Sequence, residues 1–191
     1  PTSTSFAERQ INEYIKSLGF ETIQSDRSIL SGKELDIVVP SRNIAIEYNG
    51  LFWHSKKYKE NNYHLDKTNQ AALAGYRLIH IFEDEWEYRQ EQVKEKLASI
   101  LGVDSRRKVF ARKCTTQVIS DAKLIKNFYI KNHIQKAGGQ SITIGLIYDD
   151  CVVAMVSFKK RTDDEYELSR YATSARVIGG FSKLLKASKP I

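Results

Sequence analysis

The chain has 191 residues, of which 41% are apolar and 28% charged, with a net charge of +7. That is an ordinary globular composition, with room for one large domain or two small ones. No apolar run approaches the ~18 residues of a membrane span and no secretory leader is visible, so a cytoplasmic protein is expected. The chain opens at Pro1, as it would after removal of an initiator Met. Two cysteines, Cys114 and Cys151, are too few for a disulfide framework or a cysteine zinc site and read as reduced thiols. The charge is unevenly divided: residues 1–105 carry 13 Lys/Arg against 16 Asp/Glu, and residues 106–191 carry 17 against 7. One part is rich in carboxylates and the other would be drawn to a polyanion.

In chain order, Phe6, Ile11, Tyr14, Ile15 and Leu18 have helical spacing, with Ser3 or Ser5 as N-cap and Gly19 past the C-terminus. Leu35–Val39 and Asn43–Tyr48 are short β-branched runs joined by Pro40-Ser41-Arg42, which predicts an antiparallel hairpin. A polar, aromatic-rich loop follows from Gly50 to Asn62. A helix is predicted over Leu65–Ala74, stopped by Gly75, then a strand over Arg77–Phe82 and a charged amphipathic helix from Glu83 to Leu101. Val103–Lys108 reads as a linker. Beyond it the pattern predicts a helix over Asp121–Asn132 and strands over Ser141–Tyr148, Cys151–Phe158 and Tyr166–Ala172. Asp149-Asp150 turns the first of these strands into the second, and a last helix over Phe181–Ala187 is opened by Gly179-Gly180.

The hairpin carries the chemistry. Asp36 lies on its first strand and Glu47 on its second, and Asn49, two residues on, shares a face with Glu47. Two carboxylates brought together by a short turn offer hard oxygen ligands to Mg²⁺, which takes one or two carboxylates and completes its shell with water and phosphate oxygens. The bland alternative is a buried ion pair of these acids with Lys33 or Arg77. Leu35, Ile37, Val38, Ile44 and Ile46 would anchor the hairpin in the core. His64 and Lys67 are one helical turn apart and can face the same site. Asp66 points off that face, and His80, alternating within a strand, reads as structural. Glu83, Asp84 and Glu85 complement a helix dipole better than they form a metal cluster.

Asp36 followed by Glu47-Tyr48-Asn49 resembles the PD-(D/E)xK nuclease superfamily, with Asn49 in place of the usual Lys. Asn49-Gly50-Leu51-Phe52-Trp53-His54 is similar to an element of the very-short-patch-repair endonucleases. Asp36 and His54 match catalytic positions there, while Asn49 stands where that family has another His. Residues 1–105 resemble most closely the phage-type homing endonucleases of the EDxHD group. Glu8 matches the Glu contributed by their first helix, and the segments Tyr63–Thr68 and Leu78–Trp86 are similar to recurring segments of that group.

The resemblance implies a restriction-endonuclease-like mixed sheet flanked by helices and a metal-dependent hydrolase of DNA in a phage or its bacterial host. It implies Mg²⁺, with Mn²⁺ as substitute, on Asp36, Glu47 and the Tyr48 backbone carbonyl. His54 or His64 would handle protons, and Lys67 would supply the missing positive charge. Double-stranded DNA is the expected partner, cut by one chain or by a homodimer. Lys56, Lys57 and Lys59, with Trp53 beside them, mix cations and rings as a DNA-contacting loop would.

In the second half, Arg106-Arg107-Lys108, Arg112-Lys113 and Lys159-Lys160-Arg161 are candidates for phosphate contacts, which position a protein without reading sequence. The segments 132–135, 145–148, 166–171 and 179–184 resemble a GNAT-like domain related to phage DNA-modification acyltransferases. The resemblance implies a second small α/β domain over 105–191, truncated or minimal, behind a nuclease domain over 1–104. Two readings stand against the nuclease: a nuclease fold that only binds DNA, and an acyltransferase acting through the second domain.

Overall fold

The computed structural model describes residues 5–50, 63–135 and 138–189. The chain divides into two compact units, Pro1–Val103 and Asp104–Ile191, each of mixed α/β composition.

The first unit opens with helix α1 (Phe6–Ser17). Ser5 caps it, its hydroxyl accepting the Glu8 N–H at 3.2 Å, one of the amides that a helix start leaves without a partner. A four-stranded sheet follows in the order β1-β2-β3-β4: β1 (Ile23–Leu30), β2 (Lys33–Val39), β3 (Ile44–Asn49) and β4 (Arg77–Phe82). β1 is absent from the sequence reading because its polar stretch, Gln24 to Ser28, neither alternates nor runs apolar. It is an edge strand that pairs antiparallel with β2 and shifts register between Asp26 and Leu30. The β2–β3 hairpin is present as expected, closed by a 3-10 turn over Pro40–Arg42 with Asn43 left-handed at φ 51°. β4 runs parallel to β3, so the chain must cross over between them. Helix α2 (Tyr63–Leu73) lies in that crossover and packs on β1 and β4.

Register sets the faces of this sheet. Val38, Ala45 and Leu78 are cross-strand neighbours and share a core with Leu30, Leu35 and Ala71 of α2. One residue along, Ile37, Ile46 and Ile79 are buried on the other side, as strand alternation requires. Helix α3 (Glu83–Ile100), with a non-helical residue at Arg89, packs on β4 and α1. It is tied to α1 where the Trp86 indole donates to Gln10 Oε1 at 3.1 Å and the Tyr14 hydroxyl donates to the Lys94 carbonyl at 3.0 Å.

The second unit is an antiparallel meander with the order β6-β7-β8-β9: β6 (Thr115–Val118), β7 (Ile142–Tyr148), β8 (Cys151–Lys160) and β9 (Tyr166–Thr173). Asp149 and Asp150 close the β7–β8 turn, both at positive φ, as a two-residue hairpin turn of the I′ type demands. A separate parallel pair joins β5 (Lys108–Phe110) to β10 (Arg176–Ile178), so part of the expected linker is strand. β5, β6 and β10 are three or four residues each, too short for any periodicity to register.

Helix α4 (Ala122–Asn132) is capped by Asp121, which accepts the Lys123 and Leu124 amides. It packs Ile125, Phe128 and Tyr129 with Met155 and Ala172, while Leu184 of α5 (Gly180–Ser188) joins Val109, Leu146 and Val156 in a second core. Cys114 and Cys151 are both free thiols. Among the described residues no helix is long and apolar enough to cross a membrane.

Candidate active site

The register that pairs Ile37 with Ile46 sets Asp36 opposite Glu47, one step further along the hairpin. By alternation both carboxylates leave the sheet on the side of Val38 and Ala45, the side α2 covers. Asp36 Oδ2 accepts the Tyr48 N–H at 2.8 Å, which fixes one oxygen of the carboxylate. Burial and the neighbouring Glu47 raise the Asp36 pKa to about 7, with Glu8 adding to the rise and the Tyr48 N–H and Lys67 opposing it. Glu47 is raised as well, first by burial and then by Glu8 and Glu34, against the pull of Lys67. Glu8, half-buried on the first turn of α1, therefore belongs to the same field as the hairpin acids. Three carboxylates repel one another here in a place with little water.

Lys67 answers part of that charge. It is only 3% exposed, and its ammonium donates to Glu47 Oε1. The ion pair at the hairpin is thus made by α2, not by Lys33 or Arg77, which are both exposed. Glu47 Oε2 is buried and has no hydrogen-bond partner among the described residues. A carboxylate oxygen out of water with nothing to accept from is costly, and a divalent cation beside it would satisfy it. The donor set is hard oxygen throughout and fits Mg²⁺ better than a softer metal. Among the described residues no three His, Cys, Asp or Glu side chains are drawn together into a full metal cage. A cation that binds few protein ligands and keeps several waters needs no such cage.

Beside the carboxylates runs a chain of neutral hydrogen bonds. Thr68 Oγ1 donates to the His64 carbonyl at 2.7 Å and stands 2.9 Å from His80 Nε2. A hydroxyl has one proton to give, so Thr68 accepts from His80, and Nε2 carries the imidazole hydrogen. His80 Nδ1 is then a bare lone pair, and Asn49 Nδ2 donates to it at 3.2 Å. Burial, followed by the nearby His64 and Lys67, lowers the His80 pKa to about 4, so the ring is neutral at physiological pH. Asn49, 8% exposed, has its amide turned by this contact, and Oδ1 lies on the side away from His80. The His64 ring makes edge contacts with His80, Tyr63 and Phe82, its centroid 5.3 Å from that of His80.

Of the residues singled out from the sequence, Asp36, Glu47, Tyr48, Asn49, Lys67 and the field of Glu8 come together here, with His64 alongside. Asp66 is exposed, off the face as expected. His54, Trp53, Lys56, Lys57 and Lys59 lie outside the described residues. Thr68 was missed, although His64, Lys67 and Thr68 form an i, i+3, i+4 stripe that marks one side of a helix.

In the second unit, several basic candidates are matched to acids. Arg106 bridges Asp104 at 2.8 Å and also donates to the Thr173 carbonyl. Arg107 pairs with Asp149, Lys160 with Asp163 and Arg161 with Glu167. Lys113 and Lys159 are exposed, and Lys108 and Arg112 both approach the ring of Phe110.

No family model matches the chain, and no curated protein matches it. Among solved structures it is similar to one titled "Homing Endonuclease I-Bth0305I Catalytic Domain", with a TM-score of 0.43, 22% identity, and coverage of 53% of this chain and 98% of that one.

Proposed function

We propose that the first unit is a metal-dependent endonuclease that hydrolyses phosphodiester bonds of duplex DNA. The observation that carries this reading is the buried pair Asp36 and Glu47, with Lys67 on one Glu47 oxygen and the other oxygen left without a hydrogen bond among the described residues. Its similarity to the PD-(D/E)xK arrangement lies in the sequence of the hairpin, with Lys67 of α2 bringing the charge that Asn49 lacks.

In this reading Asp36 and Glu47, with the Tyr48 carbonyl, would hold Mg²⁺, and Mn²⁺ would be able to replace it. Such an ion would supply Lewis-acid polarisation of the scissile phosphate and a more acidic attacking water. Lys67 opposes the rise in the Glu47 pKa and places a positive charge beside the developing negative one. His64, or His54 from the adjoining loop, moves the proton. Asn49, its amide held by His80, offers a neutral hydrogen bond rather than a charge.

Supercoiled plasmid incubated with Mg²⁺ or with EDTA tests the assignment. Wild type should nick or linearise it only with Mg²⁺, and Asp36→Asn should bind the plasmid without cutting it. Cutting that survives Asp36→Asn would falsify the site. A protein that binds and never cuts would support the second reading, a nuclease fold kept for binding, which Asn49 in the Lys position favours.

A further inference from the structure

The parallel pairing of β5 with β10 matches Lys108 to Arg176, Val109 to Val177 and Phe110 to Ile178. Paired residues share a face, and alternation separates the middle pair from the outer two. Val109 is buried and Val177 packs against the same core. The opposite face therefore carries Lys108, Phe110, Arg176 and Ile178. Lys108 and Arg176 are exposed, and Ile178 is 40% exposed.

The 3-10 turn after β5, Ala111–Lys113, brings Arg112 to the same ring. The Lys108 ammonium stands 4.9 Å and the Arg112 guanidinium 5.1 Å from the centre of Phe110. A cation resting on a ring keeps its outward N–H groups available to a second acceptor. This differs from the unit's other basic clusters, where Arg106, Arg107, Lys160 and Arg161 each meet a carboxylate. Asp104, whose charge feels Arg176, is already bridged by Arg106 and held below the usual carboxylate range chiefly by that bond. Two arginines face that one acid, so the net charge at the β5–β10 face stays positive.

We propose that the outer face of the β5–β10 pair is a docking surface for the DNA backbone. Lys108, Arg112 and Arg176 take phosphates there, while Phe110 holds two of these cations in place and Ile178 packs against the sugars. Cations interleaved with apolar groups suit the duplex backbone, where phosphates alternate with sugars. The choice of DNA as the polyanion rests on the nuclease reading, and the contact itself does not involve Asp36 or metal.

The test is fluorescence anisotropy of a short labelled duplex with the full chain, in EDTA, over a series of salt concentrations. Each phosphate contact contributes about 0.9 to the slope of log affinity against log salt. The triple variant K108Q/R112Q/R176Q should weaken binding and flatten the slope by two to three. R107Q/K160Q/R161Q removes the same formal charge from ion-paired positions and should change the slope little. Phe110→Leu should weaken binding at an unchanged slope. R176Q alone, on an exposed position, should lower the slope by about one and guards against misfolding of the triple.

Equal effects from the two triples would mean that only net charge matters and would overturn the proposal. So would a platform triple that binds like wild type, or a wild type that does not bind the duplex. Because the assay needs no cutting, failure of the plasmid experiment and failure of this one are separate results.

Discussion

His80 Nε2 donates to the Thr68 hydroxyl at 2.9 Å, and the direction of that bond follows from the 2.7 Å bond by which Thr68 gives its own proton to the His64 carbonyl. The consequence reaches the far side of the ring. With Nε2 protonated and the ring neutral, Nδ1 can only accept, and the Asn49 amide must present its NH₂ to it. A strand histidine that would pass for filler thus orients Asn49.

That relationship makes two substitutions unequal. Asn at position 80 puts a carbonyl oxygen near where Nδ1 stands and can keep Asn49 in place. Gln at position 80 reaches the Nε2 position and keeps Thr68, leaving Asn49 without its acceptor. Losing a buried partner costs about 1–3 kcal/mol. We expect His80→Asn to retain most of the cleavage rate and His80→Gln to lose about tenfold or more, with both variants folded. Nitrogen NMR of wild type gives an independent check, since the hydrogen should sit on Nε2. A protonated Nδ1 would sink the argument whatever the rates show.

Lys67 and Glu47 form a buried pair that is expected to be unequal when broken. Lys67→Met keeps most of the volume and leaves Glu47 buried without its counter-charge, which typically costs about 3–5 kcal/mol. Adding Glu47→Gln removes the uncompensated charge, so the double variant should recover most of the loss. Urea unfolding in EDTA measures both. If Lys67→Met alone were as stable as wild type, the pair would be far better hydrated than its burial implies. Mg²⁺ should then restore stability to Lys67→Met, where Glu47 survives, and do little for the double variant.

The residues whose pattern repeats were the legible ones. The hairpin showed itself because Leu35–Val39 and Asn43–Tyr48 are short β-branched runs joined by Pro40-Ser41-Arg42, and its register then brought Asp36 to Glu47 with no further information. α2 was legible through its helical run, and with it the placing of Lys67 one turn from His64. β1 was not, because an edge strand facing water can be polar throughout. The parallel β3–β4 pairing was also hidden, since no local signal says which way a strand will run. Nor could periodicity show that Arg106, Arg107, Lys160 and Arg161 would be matched to acids, because Asp149 is 42 residues from Arg107. Charge counts see the surplus and miss its distribution in space.

The acids and the imidazole of the site pull stability in opposite directions with pH, and their windows overlap. Asp36 has a folded pKa of about 7 against an ordinary value of 3.8. Between those values the native state holds a proton that the unfolded chain has released, so stability falls as pH rises through the window. Glu47, also raised, acts in the same sense. His80 has a folded pKa of about 4 against 6.5. Between those values it is the unfolded chain that holds the extra proton, so this contribution is complete above 6.5 and is lost as pH falls towards 4.

In wild type without metal the opposing slopes partly cancel. Asp36→Asn, which leaves only Glu47 opposing His80, should steepen the climb of stability from pH 4 to 6.5, and His80→Asn should expose the acid slope, with stability falling towards pH 7. Chemical denaturation in EDTA at half-unit steps of pH resolves both. If Asp36 holds Mg²⁺ as proposed, the order should reverse for the acids, because binding would require Asp36 to lose its proton. Metal affinity in wild type should therefore rise steeply up to about pH 7 and then level. Superimposable profiles for wild type and Asp36→Asn would mean that Asp36 is ionised like any surface acid, and the crowded carboxylate site would have to be abandoned.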